Sequence, residues 1–145
     1  MNLPSAPLLV ANLAVSGALM GLIWTVQVVG YPLYARVPEP AFVAFHAAWS
    51  ARITLVVAPL MLAELALGLL WVASGGRALA GGALAATAAA WLVTFSLSVP
   101  AHEVLSGGFS QEAFERLRDT NWLRTAAWTL RAGLIAAALL RPGAA

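Results

Sequence analysis

The sequence predicts an all-α fold: an integral membrane, up-down four-helix bundle with short amphipathic helical extensions on one membrane face. Three observations predict it. Hydrophobic residues make up 61% of the 145 positions and charged residues 10%, with a mean hydropathy of +0.85, whereas a soluble domain carries about 25% charged residues. Apolar runs with almost no charge recur along the chain, each long enough at about 1.5 Å per residue to cross or nearly cross a hydrocarbon core of about 30 Å. Short segments rich in glycine, proline or charge separate them. Too few charges remain to cover a water-facing surface, which excludes a soluble enzyme, and the chain reads as a single domain over residues 1–145.

The first span covers residues 8–30, and no charge precedes Arg36. A cleavable signal peptide needs a basic start and a shorter apolar run, and Met1-Asn2-Leu3-Pro4-Ser5 supplies no basic residue. The second span, 53–73, holds one charge, Glu64. Pro59 removes the hydrogen bond to the Leu55 carbonyl, so a kink that loosens the helix near Glu64 is expected. The third span, 78–99, holds no charge, and the Ser74-Gly75-Gly76-Arg77 turn before it makes spans two and three antiparallel neighbours. The fourth, 123–140, has Arg124 at its start and Arg131 inside it.

Two connecting segments carry helical periodicity. After Pro38-Glu39-Pro40, the residues Phe42, Phe45, His46, Trp49 and Ile53 recur at spacings of three and four, so an amphipathic turn feeds into span two. Between Ser110 and Thr120, Ser110 is a cap, Glu112 sits in the first turn, and Phe114, Leu117 and Asn121 share a face. Span four therefore begins as a helix outside the bilayer. The alanine-rich stretch 81–90 and the Gly17/Gly21 pair read as close helix packing within the chain, in preference to a dimer motif.

The net charge of +2 comes from eight arginines against six acids. The arginines are scattered and do not form a basic face, which speaks against nucleic acid as a partner. The expected partners are the lipid bilayer and a lipophilic small molecule, with a homo-oligomer left open. The absence of cysteine excludes disulfides and thiolate chemistry. Arg36, Arg52, Arg116, Arg118 and Arg124 lie towards one face against Arg77 and Arg141 on the other, so the positive-inside rule puts that face in the cytoplasm and the termini outside. The expected location is multi-pass in the cell membrane of a prokaryote.

Up-down topology brings the end of span one, the start of span two, the end of span three and the start of span four to one face, and the chemistry-bearing residues concentrate there. Trp24, Gln27, Tyr31 and Tyr34 form one stripe provided Pro32 does not end the helix. His46 and Glu64 lie on span two, and Thr87, Trp91, Thr94 and Ser98 lead to Pro100 and His102 on span three. On span four Asn121, Arg124, Trp128 and Arg131 follow spacings of three, four and three, a polar stripe on an otherwise apolar helix. Charges inside spans cost at least about 2.5–3.5 kcal/mol and face an interior or a hydrated cavity. Glu64 and Arg131 fall at similar depth and are expected to pair, with Arg124 nearer the surface. That pair either serves function or only fixes helix register.

Trp49, Trp71 and Trp122 read as an interfacial belt. Trp24, Trp91 and Trp128 read as pocket walls for a flat lipophilic molecule whose oxygens Gln27, Tyr31, Asn121 and the arginines orient. No cofactor is favoured. His46 and His102 are the only histidines; they serve either as acid-base groups or as ligands to haem or a single metal ion, the latter helped by Glu39 or Glu103.

Gln27-Val-Val-Gly-Tyr31-Pro32-Leu, Phe45-His46 before Arg52-Ile53, Pro100-Ala-His102, and Asn121-Trp122-Leu-Arg124-Thr125 with Trp128 and Arg131 together resemble a family of small four-span membrane proteins, largely of unknown function, that includes anthrone-oxygenase-like proteins. The similarity covers nearly the whole chain. It implies insertion of oxygen into an activated aromatic carbon with no organic cofactor, and it transfers no residue roles. The expected function is that of an oxygenase-like oxidoreductase acting on a lipophilic aromatic or quinone-like molecule. Arg124 and Arg131 would stabilise an enolate or phenolate, His46 or His102 would accept its proton, and Asn121 or Gln27 would fix an oxygen. Three alternatives stay open: a haem- or metal-binding protein, a proton-coupled transporter using Glu64, and a structural membrane subunit.

Overall fold

The computed structural model describes residues 6–141. The segment 1–5, on which part of the reading against a signal peptide rests, lies outside the described residues. Among the described residues there is no strand, and four long helices follow one another: α1 (Ala6–Tyr34), α2 (Glu39–Ala73), α3 (Arg77–Ser106) and α4 (Gln111–Leu139). The first three are long and apolar enough to cross a membrane. The fourth is not among them, because its first half carries Glu112, Glu115, Arg116, Arg118, Asp119 and Arg124. At 35 residues α2 is about 52 Å long, well beyond the thickness of a hydrocarbon core, so its amphipathic start and its apolar body are one continuous rod.

Each helix end has a local cause. Pro40 lies in the first turn of α2, where its missing N–H costs nothing. Ser110 is extended and its side chain accepts the Ala113 N–H at 3.3 Å, the expected cap of α4. Between α2 and α3, Gly75 has φ of 90°, a left-handed conformation that glycine adopts without penalty, and the two helices pack as antiparallel neighbours.

Inside α1 and α3 the helix widens once. Val26–Gly30 and Thr94–Ser98 are π-turns, in which Tyr31 N–H donates to the Val26 carbonyl and Val99 N–H to the Thr94 carbonyl. A proline lies two residues after the end of each, Pro32 and Pro100. A proline has no N–H and its ring crowds the carbonyl four residues back; widening the preceding turn lets the rod pass through it. Pro32 therefore does not end α1. At Pro59 there is no widened turn of this kind, for α2 stays α-helical from Glu39 to Ala73.

Helix α1 packs on α2, α2 on α3, α3 on α4, and α4 back on α1. The contact between α3 and α4 rests on Ala80, Ala83, Ala86 and Ala90, all buried at spacings of three and four, small enough to let the backbones close. Three apolar layers lie along the rods. Leu9, Trp71, Ala80 and Ile135 fill one end, Leu19, Met61 and Trp128 the middle, and Tyr31, Tyr34, Phe42, Leu105, Phe114 and Leu117 the other end. Leu55, Leu62, Leu92 and Phe95 are exposed on the outside, an apolar surface of the kind that lipid covers.

Two expectations are corrected. Trp71 is not part of an interfacial belt: it is buried, its indole tucked beneath the glycine turn, where a Cβ on Gly76 would lie 2.5 Å from Nε1. Gly17 and Gly21 do not mediate packing within the chain, since a Cβ on either would meet nothing within 4 Å.

Candidate functional site

Buried polar side chains gather in two clusters on the same four helices. The deeper one is built on the Glu64–Arg131 pair, with both side chains fully buried. Arg131 Nη2 donates to Asn12 Oδ1 at 3.0 Å and to the Glu64 carbonyl at 3.1 Å, and Nη1 donates to Ser16. Its Nε lies 3.3 Å from Glu64 Oε1, a charge contact without hydrogen-bond alignment. Trp128 Nε1 donates to Glu64 Oε2 at 3.1 Å. Asn12 in turn donates to the Leu8 and Leu67 carbonyls. Gly68 leaves room for the guanidinium, since a Cβ there would stand 3.3 Å from Nη2. Helices α1, α2 and α4 are thus tied across the core by a network in which Arg131 Nε and Glu64 Oε1 meet only in charge contact.

The second cluster lies between the two π-turns and the starts of α2 and α4. His46 Nε2 and His102 Nδ1 are 3.1 Å apart. One nitrogen must carry the proton and the other accept it, so at most one ring is charged while the bond exists. Arg124 lies on α4, which packs against the Val99–Ser106 part of α3 that carries His102. Its Nη2 donates to Asn121 Oδ1 and reaches Tyr31 Oη at 3.5 Å. Asn121 donates to Gln27 Oε1 at 2.6 Å, and Gln27 Nε2 donates to the Arg118 carbonyl at 3.3 Å. The π-turn of α1 supplies Gln27 and that of α3 supplies Ser98, one helical turn before His102.

Four buried polar atoms on these elements have no hydrogen-bond partner among the described residues: Tyr34 Oη, Ser98 Oγ, Arg124 Nε and, one turn after His46, Ser50 Oγ. The Tyr34 ring sits in an aromatic box, with ring centres 5.4 Å from Phe42, 5.1 Å from Phe45, 6.0 Å from His46, 5.8 Å from Trp49 and 6.2 Å from Phe114. Native interiors leave few such atoms unpaired. At the water-side rim, Arg118 binds Asp119 at 2.7 Å, and that hydrogen bond holds the Asp119 carboxyl below its usual range.

The fold joins His46 to His102 directly, and it links Gln27, Asn121, Arg124 and Tyr31 to one another by hydrogen bonds. It separates from them Glu64, Arg131 and Trp128, which form the deeper network. Trp24 does not wall a pocket: it is 42% exposed and bonds Thr129 on the outer surface beside Trp122. Trp91 is half-buried near the middle layer, away from the histidines. Bis-histidine haem ligation across a flat cavity is not the geometry found. Two metal–nitrogen bonds of about 2.0–2.1 Å in line need about 4 Å between the nitrogens, and here the rings bond each other directly. Glu39 and Glu103 are exposed, and no group of three or more metal-ligating side chains gathers among the described residues.

Sequence reasoning passed over Asn12 and Ser16, although two polar residues four apart in an apolar span are a visible signal. It also passed over the paired motif of a π-turn before Tyr31-Pro32 and Val99-Pro100. Comparison of the chain with family models, with curated proteins and with solved structures gives no match. The geometry therefore carries the functional reading.

Proposed function

We propose that all four helices cross the membrane as an up-down bundle, and that the cluster at the π-turns binds and deprotonates a flat lipophilic molecule carrying a phenolic or enolisable oxygen. The observation that carries this reading is the direct His46–His102 bond, together with buried polar atoms of Tyr34, Ser98 and Arg124 that have no hydrogen-bond partner among the described residues. A neutral imidazole is a proton acceptor near pH 7. A guanidinium in a water-poor site stabilises the oxyanion that develops, by several kcal/mol where the geometry is right. Arg124 retains an unpaired donor for that task and has no carboxylate partner among the described residues, whereas the Arg131 Nε faces Glu64 Oε1 at 3.3 Å and its terminal nitrogens are held by Ser16, Asn12 and the Glu64 carbonyl.

The resemblance to anthrone-oxygenase-like proteins extends the proposal to an oxidation. A methylene carbon activated by two aryl rings and an opposed carbonyl loses a proton to the imidazole pair and gives an enolate held by Arg124. Dioxygen then receives the electrons, so that CH2 and O2 become C=O and H2O. Gln27, Asn121 and Tyr31 orient the substrate oxygen. Neutralisation of Glu64 by Arg131 and Trp128 counts against a freely titrating coupling carboxylate and hence against the transporter.

The test uses the purified protein in phosphatidylcholine nanodiscs with anthrone. Saturable dioxygen uptake is expected, falling about a hundred- to ten-thousandfold in His102→Ala, in line with loss of a general base. Uptake that equals the protein-free rate, or that is indifferent to both His102→Ala and Arg124→Ala, would sink the proposal.

A further inference from the structure

Phe45, Ala48, Trp49, Arg52 and Ile53 line an open groove on α2. Its walls are apolar apart from one guanidinium. Arg52 is exposed and has no hydrogen bond or ion pair among the described residues. The inner wall is thin. Phe45 and Trp49 both touch the Tyr34 ring, and that ring touches His46. A single aromatic layer therefore divides the groove from the histidine pair, and the Tyr34 hydroxyl within that layer has no partner. Trp49 gains its place because Gly30 has no side chain: a Cβ there would lie 3.0 Å from the indole. Gly30 ends the π-turn of α1, so the same widened turn that supplies Gln27 also seats the Trp49 indole.

We infer that this groove is the membrane-side entrance to the histidine site, admitting a flat lipophilic molecule whose anionic oxygen is met first by Arg52. The inference rests on the ligand-binding reading above and deepens it. A molecule dissolved in the bilayer reaches the groove sideways, with its ring system against Phe45, Trp49 and Ile53. The Arg52 charge, which no carboxylate among the described residues satisfies, complements its oxygen. Displacement of Trp49 from Gly30, together with Tyr34, opens the way to His46 and Arg124.

The experiment measures association and dissociation rates by tryptophan quenching in phosphatidylcholine nanodiscs, with anthraquinone-2-carboxylate and uncharged anthraquinone as probes. A constricted entrance slows entry and exit alike and leaves the equilibrium unchanged. Ala48→Phe, which fills the groove, is expected to slow both rates of both probes by a common factor of about ten. Arg52→Gln, at an exposed position, is expected to slow association of the carboxylate alone by about tenfold, as loss of steering does. His102→Ala is expected to raise dissociation and leave association as it was.

If Ala48→Phe and Arg52→Gln leave every rate unchanged while His102→Ala weakens binding, the entrance is overturned and the site reading stands. Loss of affinity in Ala48→Phe without matched rate changes makes the groove the binding site itself and also overturns the entrance. An Arg52→Gln effect that disappears once phosphatidylglycerol is added assigns Arg52 to a lipid headgroup, against the inference. Absence of saturable binding in the wild type removes both readings together.

Discussion

The deep cluster around Arg131 and the outer cluster around His102 are made from similar parts, an arginine, an asparagine and hydroxyl-bearing residues contributed by separate helices. They differ in how much of their hydrogen-bonding capacity is spent. Arg131 has Ser16, Asn12 and both the carboxylate and the carbonyl of Glu64 around it. Arg124 holds Asn121 and, weakly, Tyr31, and keeps Nε free. A buried charge that faces its own carboxylate and is held through both terminal nitrogens has little left for a ligand and defines how helices sit. A buried charge with a free donor and no carboxylate partner among the described residues still has capacity that something other than protein can use. The difference separates scaffold from site on physical grounds, with no appeal to similarity.

The largest expected effect breaks the deep cluster. Either Glu64→Leu or Arg131→Leu alone strands a buried charge and is expected to cost about 3–5 kcal/mol, whereas the double substitution with Met at 131 is expected to recover most of it. Unfolding by denaturant in mixed micelles reads both. Equal losses in the single and double variants would mean that the pair does more than neutralise itself.

A smaller cost in stability is expected at the outer cluster. Arg124→Leu leaves Asn121 short of one partner and should destabilise by about 1–3 kcal/mol, less than Arg131→Leu under the same conditions, while abolishing anthrone-dependent dioxygen uptake. Should Arg124→Leu prove the more destabilising of the two, the assignment of scaffold and site is reversed.

The smallest effect concerns Tyr34→Phe. Removing a buried hydroxyl that bonds nothing should leave stability within about 1 kcal/mol of wild type or raise it. Weaker binding of anthraquinone-2-carboxylate, seen together with undiminished stability, would show that the hydroxyl serves the ligand. Unchanged binding would confine Tyr34 to the aromatic packing.

Much of this was legible in the stripes. Asn121 and Arg124 are three apart on one face, and Arg131 follows at helical spacing, so the sequence already implied polar groups turned inward. The Glu64–Arg131 pair followed from similar depth and from the need of a charge inside a span for a counter-charge. Trp24 misled because it is three residues before Gln27 yet lies half-exposed, its indole bonded to Thr129. Trp71 misled for a converse reason, since a tryptophan near a helix end reads as interfacial unless the turn beyond it lacks side chains, as Gly76 does. Gly17 and Gly21 look the same in sequence whether a neighbour covers them or not.

Composition and periodicity determined the helices, the membrane-capable length of three of them and the face on which the polar residues fall, because burial of apolar stripes and satisfaction of the backbone are local demands. What only the tertiary structure decided is which polar groups meet and which remain unpaired. Hydrogen bonds join atoms from different helices, within a few tenths of an ångström, and that distance depends on π-turns at two prolines, on glycines that admit an indole or a guanidinium, and on alanines that set how closely α3 and α4 approach. Those are consequences of packing, and no spacing along one chain segment contains them.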